Sequence, residues 1–254
     1  MMTLNLQPIL TTAILLGLRV SGLVLFAPFF GHAAIPPRVK ACFVFFMVVL
    51  LYPLLSPRLA HSTLSVWTIS SEVIVGLAVG LTTNAVFEAA MFAGQILSVQ
   101  MGYSLVNIID PTSQIESTVM SVFHQTIAML IFIRLDVHHW ILRTVVHSFD
   151  YLPPGELTNT GPIAVAVLQT FASVMNLGLQ IAAPVLAATM ATDFALGMLS
   201  KASPQLPLMM MGPSLKSLLG IIVLSSALCY WPSLFDRFFS DSIVMTDRIL
   251  HLAH

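Results

Sequence analysis

Six apolar windows, near residues 9–30, 41–55, 69–92, 119–135, 164–192 and 214–232, constrain this chain more than any other feature. A run of about 20 apolar residues is long enough to cross a bilayer as a helix, and lipid offers the backbone no hydrogen-bond partner but its own chain. The windows therefore predict an all-α integral membrane fold of about six apolar helical segments. Composition points the same way. With 57% hydrophobic and 8% charged residues, against roughly 25% charged in soluble domains, there is too little polar surface to coat a water-soluble globule. A net charge of −1 supplies no basic field for nucleic acid. The first window has no basic leader, because Arg19 lies inside it, and Gly31-His32-Ala33-Ala34 makes a poor cleavage site. We expect the N-terminus to be retained as the first helix.

The windows are separated by Ile35-Pro36-Pro37-Arg38, Tyr52-Pro53 to Ser56-Pro57, Asp110-Pro111-Thr112-Ser113, Leu152-Pro153-Pro154-Gly155 and Ser203-Pro204-Gln205-Leu206-Pro207. Each is expected to force the chain out of regular helix. The second segment is expected to be the shortest, and Pro184 invites a kink in the fifth. No repeat of 20–50 residues is visible, so one domain, residues 1–254, is expected. Its tail, about 234–254, sets Phe235, Phe238, Phe239, Ile249, Leu250 and Ala253 near helical spacing among charges, the pattern of an amphipathic helix.

Basic residues do not choose an orientation. With the N-terminus outside, Arg38, Lys40, Lys201 and Lys216 fall inside, while Arg58, Arg134, Arg143, Arg237 and Arg248 fall outside. The positive-inside rule is a tie, which suggests that some segments are hairpins packed against protein.

Small residues recur at four-residue spacing in Ala13, Gly17 and Ser21, and again in Gly76 and Gly80. That spacing lets helix backbones approach closely, within this chain or against a neighbouring subunit. The ionisable residues Arg19, Glu72, Glu88 and Asp193 stand inside apolar windows, where each needs a partner or water. Glu72 and Glu88 point about 160° apart on a straight helix, so structural pairing or an aqueous lumen is favoured over a proton relay.

His138, His139 and His147 cluster near Asp136. His139, Arg143 and His147 would share one helical face, and an interfacial polar face is expected there rather than a metal site. Cys42 and Cys229 lie in apolar runs without ligand-like spacing. With no nucleophile elbow, phosphate loop or dinucleotide fingerprint, neither an enzyme activity nor a cofactor is expected. Gly94 to Gly102 leads into Tyr103 to Pro111, combining amides, two glycines and a proline stop. Such a stretch suits the lining or closure of a protein-walled passage, or else a re-entrant or surface loop.

Taken in order, these motifs resemble the FliR family, the R subunit of the flagellar protein-export gate, whose injectisome relatives are called SctT. The resemblance runs through Arg19-Val20-Ser21-Gly22, Pro28 and Ile35 to Lys40; Glu72 with Gly76 and Gly80; and Gly94-Gln95 to Asp110-Pro111. It continues through His138-His139, Ser148-Phe149 and Leu152 to Gly155, then Ala183-Pro184-Val185, Ala195-Leu196-Gly197, Ala202 to Gln205 and Leu215-Lys216.

The resemblance implies a non-enzymatic subunit in a helical assembly in the bacterial inner membrane, at the flagellar basal body. FliP-like and FliQ-like subunits would be its partners, with an FlhB-like switch subunit and the basal-body rod adjoining. Unfolded proteins would pass through the centre, with some helical hairpins raised partly out of the bilayer. It also implies a pore plug at Leu105, Val106, Asn107, Ile108, Ile109, Asp110, Pro111 and Thr112. Leu105 and Ile108 are aliphatic where other family members carry aromatics, and Thr112 replaces a glycine. Arg19, Glu72, Glu88 and Asp193 would serve assembly, and Gly17, Ser21, Gly76 and Gly80 helix packing. The alternatives are an injectisome export-gate subunit and a secondary transporter; a transporter should carry inverted repeats or paired broken helices, which are not evident. Asp110 to Gln114 and His138-His139 lean towards the flagellar branch.

Overall fold

The structure, a computed structural model, describes residues 6–28, 35–59, 64–103, 118–157, 161–203 and 208–252. Among these residues every regular element is an α-helix: α1 (Leu6–Phe26), α2 (Pro37–Leu59), α3 (Val66–Gln100), α4 (Val119–Arg134), α5 (Val137–Tyr151), α6 (Gly161–Ala202), α7 (Leu208–Ala227) and α8 (Trp231–Leu252). The chain is thus all-α, as its windows demand. Helices α1, α2, α3 and α6 are each long and apolar enough to cross a membrane. The pairs α4 with α5 and α7 with α8 pass that test only jointly, across breaks of at most four residues, giving up to six spans.

Several local expectations are corrected. Pro53 and Pro57 do not end α2 but lie inside it. Leu51, Leu55 and Leu59, one turn apart on a single face, are buried, and that packing outweighs the backbone hydrogen bonds the prolines forfeit. The second segment is therefore not the shortest; α2 has 23 residues against 16 in α4 and 15 in α5. Pro184 sits within α6, a single helix of 42 residues, with Ile181, Ala182 and Val185 buried beside it. Residues 94–100 form the last turns of α3 and not a loop, while 104–111 lie outside the described residues. That helix ends where Gly102, at φ +84°, takes the left-handed conformation typical of a helix C-terminus. The amphipathic tail helix starts at Trp231, earlier than its apolar spacing implied.

The chain clusters into two compact units. The first comprises 1–85, 136–171 and 239–254; the second comprises 86–135 and 172–238. In the first, α1 packs along α2 and against α3, where Gly22, Gly76 and Gly80 bring the two backbones together. A Cβ on Gly76 would run into Arg19 O, and one on Gly80 would lie 2.8 Å from Leu23 O. Val75 of α3 also meets Leu152, Leu157 and Ile163 in an apolar cluster. The chain turns there through Pro153 to Glu156, whose N–H donates to Pro153 O. Gly155, at φ +86°, occupies the position where such a turn requires positive φ.

The second unit uses the same device. A Cβ on Gly94 would lie 2.5 Å from Ser121 Cα, so α3 and α4 are in backbone contact; one on Gly178 would lie 3.0 Å from Ala89 O, which joins α6 to α3. Phe87 and Phe132 meet edge to face at 5.4 Å, and Leu97 and Met101 are buried at the end of α3.

Candidate functional site

The chemically richest point in the first unit is Arg19. An arginine in an apolar helix must be neutralised and have its N–H groups satisfied, because leaving either undone in a low-dielectric interior costs several kcal/mol. Arg19, 1% exposed, meets that demand through two other helices. Nε donates to Glu72 Oε2 and Nη2 to Glu72 Oε1, both at 2.7 Å, in a two-point fork from α1 to α3. From α5, Ser148 Oγ accepts from Nη1 at 3.1 Å, and from the residue that caps it, Leu152 O accepts from Nη2 at 3.0 Å. Ser148 Oγ donates its own O–H to Val145 O at 2.7 Å, so a lone pair is left for the guanidinium. The Phe149 ring lies 3.9 Å from Arg19 Cζ and covers its face.

This arrangement follows from its neighbours. Gly76 lies one turn beyond Glu72 on α3, and its missing side chain lets α3 approach Arg19 closely. The carbonyl that accepts from Nη2 belongs to Leu152, just past the end of α5, where carbonyls lose their helical partners. The site therefore reads as a three-helix clamp. Glu72 is held by a charged fork and buried, an arrangement suited to fixing helices.

The other residues singled out from the sequence lie elsewhere. Asp193, 47% exposed, is not buried; Oδ1 lies 3.0 Å from Lys216 Nζ, and Gln100 Nε2 donates to Oδ2 at 3.2 Å. Glu88 is exposed on α3. Glu88 stands in an apolar window and Asp193 at the edge of one, yet both face outward, because helical phase and not window hydropathy decides which way a side chain points. Gly17, Ser21 and Ala13 line an open apolar groove between α1 and α2. The nearest atom to a Cβ on Gly17 is Val48 Cγ2 at 3.7 Å, so Gly17, unlike Gly76 and Gly80, is not a point of backbone contact. The plug residues Leu105, Val106, Asn107, Ile108, Ile109, Asp110, Pro111 and Thr112 lie outside the described residues.

Two features escaped the sequence reading. Ser148 and Phe149 figured in a resemblance but not as partners of Arg19, and no periodicity links positions 129 residues apart. His124 of α4 was passed over although it lies in an apolar window, the signal that flagged Arg19. It is buried; Nδ1 is 2.7 Å from Met120 O and its ring leans on Trp231 at 4.9 Å. Its Nε2 has no hydrogen-bond partner among the described residues.

The chain is similar to known proteins over most of its length. A family model described as bacterial export proteins, family 1, matches residues 10–242. The flagellar biosynthetic protein FliR of Bacillus subtilis (strain 168) is 29% identical over 216 residues, 83% of each chain. That of Escherichia coli (strain K12) is 26% identical over 226 residues, 88% of this chain and 87% of its own. That of Caulobacter vibrioides is 27% identical over 214 residues, 83% of this chain and 85% of its own.

Proposed function

Because the chain belongs to the bacterial export proteins, family 1, the family of FliR, we propose that it is a structural subunit of the flagellar type III protein-export gate in the bacterial inner membrane. The observation that carries this reading is the family match over residues 10–242. The names of the relatives, all flagellar biosynthetic proteins, favour the flagellar over the injectisome branch.

The fold supports a wall-forming role. Large apolar side chains such as Phe45, Leu168 and Phe194 point outward at 70–73% exposure, suited to lipid or to apolar neighbouring subunits. The buried charge is spent on holding helices together. In this reading FliP-like and FliQ-like subunits complete a conduit at the flagellar basal body, beside an FlhB-like switch subunit and the rod. Unfolded flagellar proteins cross it, and the chain performs no catalysis. Leu105 to Thr112 closes the resting pore by aliphatic bulk, since a dry constriction needs apolar volume more than aromaticity.

Co-purification tests the assembly. The tagged chain should be isolated with FliP-like and FliQ-like subunits; recovery as a stable solitary protein that moves a small solute would overturn the reading. Planar-bilayer conductance of the assembled gate tests the plug. Replacing Leu105 and Ile108 with Gly should raise small-ion leakage, and unchanged leakage would sink that part while leaving the assembly intact.

A further inference from the structure

At the start of α5 the chain gathers three metal-binding side chains that the proposed export role leaves unused. Asp136 occupies the N-cap of α5 at φ 54°, ψ 29°, and its side chain makes no capping hydrogen bond. The carboxylate lies instead near two imidazoles. Oδ1 is 3.7 Å from His139 Nδ1 and 3.9 Å from His138 Nε2, the two rings are 4.1 Å apart, and one ligand atom from each residue falls within 4.8 Å of the others. We propose that Asp136, His138 and His139 form a surface site for a divalent transition-metal ion of the zinc class.

The chemistry selects the ion. Two imidazoles with one carboxylate suit zinc, nickel, copper or cobalt, whereas magnesium and calcium require an oxygen shell. Bonds of about 2.0–2.2 Å to a tetrahedral ion set ligand atoms about 3.4 Å apart. The carboxylate–imidazole separations of 3.7 and 3.9 Å lie close to that value, and all three side chains stand at the surface, where rotation is cheap. Three protein ligands leave a fourth position for water or for a side chain of another subunit. The positive end of the α5 dipole opposes a cation, and the Asp136 carboxylate offsets it from within the same turn.

His139, Arg143 and His147 share the exposed face of α5 that helical spacing suggested, but His147 stands apart from the cluster at the start of the helix. His147 pairs with Asp150 at 3.6 Å and stacks on Tyr151, which makes it an internal control.

The test uses the full chain, purified in detergent with a tag lacking histidine and stripped with a chelator. Titration with cobalt(II) should give a saturable visible absorption band at one equivalent per chain, displaced by zinc and untouched by magnesium. His139→Ala and Asp136→Asn should each weaken binding by at least about tenfold, with His147→Ala unchanged and all variants eluting like the parent. Absence of saturable binding would overturn the site. So would binding that survives both ligand substitutions, or that falls equally in His147→Ala, the mark of adventitious metal only.

Discussion

Arg19 and Glu72 face each other through two hydrogen bonds of 2.7 Å although 53 residues separate them in the chain. Both are buried, and Gly76, one turn along α3, admits the backbone that carries Arg19. Charge pairing and close backbone approach are thus two parts of one contact, and each can be broken alone.

Breaking the charge should be expensive. Glu72→Ala leaves a buried guanidinium without its counter-charge, which costs about 3–5 kcal/mol. The double replacement Arg19→Met with Glu72→Leu should recover most of that loss, because it removes both charges. Thermal unfolding of the chain in detergent measures both, and equal destabilisation by the single and double variants would contradict a clamp.

The same pair separates assembly from proton conduction. Glu72→Gln keeps one hydrogen-bond acceptor for Arg19 but removes its counter-charge, so under the proposed role any loss of export should follow loss of assembly. A Glu72→Gln gate that assembles normally but loses proton-driven export alone would assign Glu72 to conduction.

Glycines of similar spacing should behave differently. At Gly76 an added methyl group meets Arg19 O, and Gly76→Ala should cost about 1–3 kcal/mol or more through forced helix separation. At Gly17 the nearest atom is 3.7 Å away, so Gly17→Ala should be neutral or stabilise by up to about 1 kcal/mol from helix propensity. Melting temperatures of the two variants should move in opposite directions or differ clearly in size.

Asp193 and Lys216 should matter little to the stability of the isolated chain. With Asp193 47% exposed, the pair is screened by solvent, and Asp193→Asn should change stability by no more than about 1 kcal/mol. A loss as large as that of Glu72→Ala would show that exposure does not govern these pairs.

His124 offers a shape test. His124→Phe keeps a ring against Trp231 and removes an Nε2 that has no partner among the described residues, so its effect should stay within about 1.5 kcal/mol. His124→Ala empties a buried site and should cost about 3 kcal/mol. If the two variants were equally unstable in the same unfolding assay, the contact with Met120 O and not ring packing would hold this residue.

Particular residues mark how far the sequence could be read. Arg19 and Glu72 were legible as charges needing partners, since burial of either in an apolar window is costly whatever the fold. That they partner each other, with Ser148 and Leu152 from a third helix, was not legible, because no local pattern spans such separations. Glu88 and Asp193 carried the same signal and proved exposed. Pro53 and Pro57 read as breaks because local propensity opposes them, and tertiary burial of Leu51, Leu55 and Leu59 kept them helical.

That this chain is a set of apolar helices follows from its residues alone. Lipid and apolar neighbours leave the backbone only its own hydrogen bonds, and that rule acts residue by residue. Packing between helices selected which small residues became points of backbone contact, which charges were buried and which histidines share a carboxylate. Those outcomes depend on helical phase and on contacts between distant segments, where differences of a few kcal/mol select one packing from many.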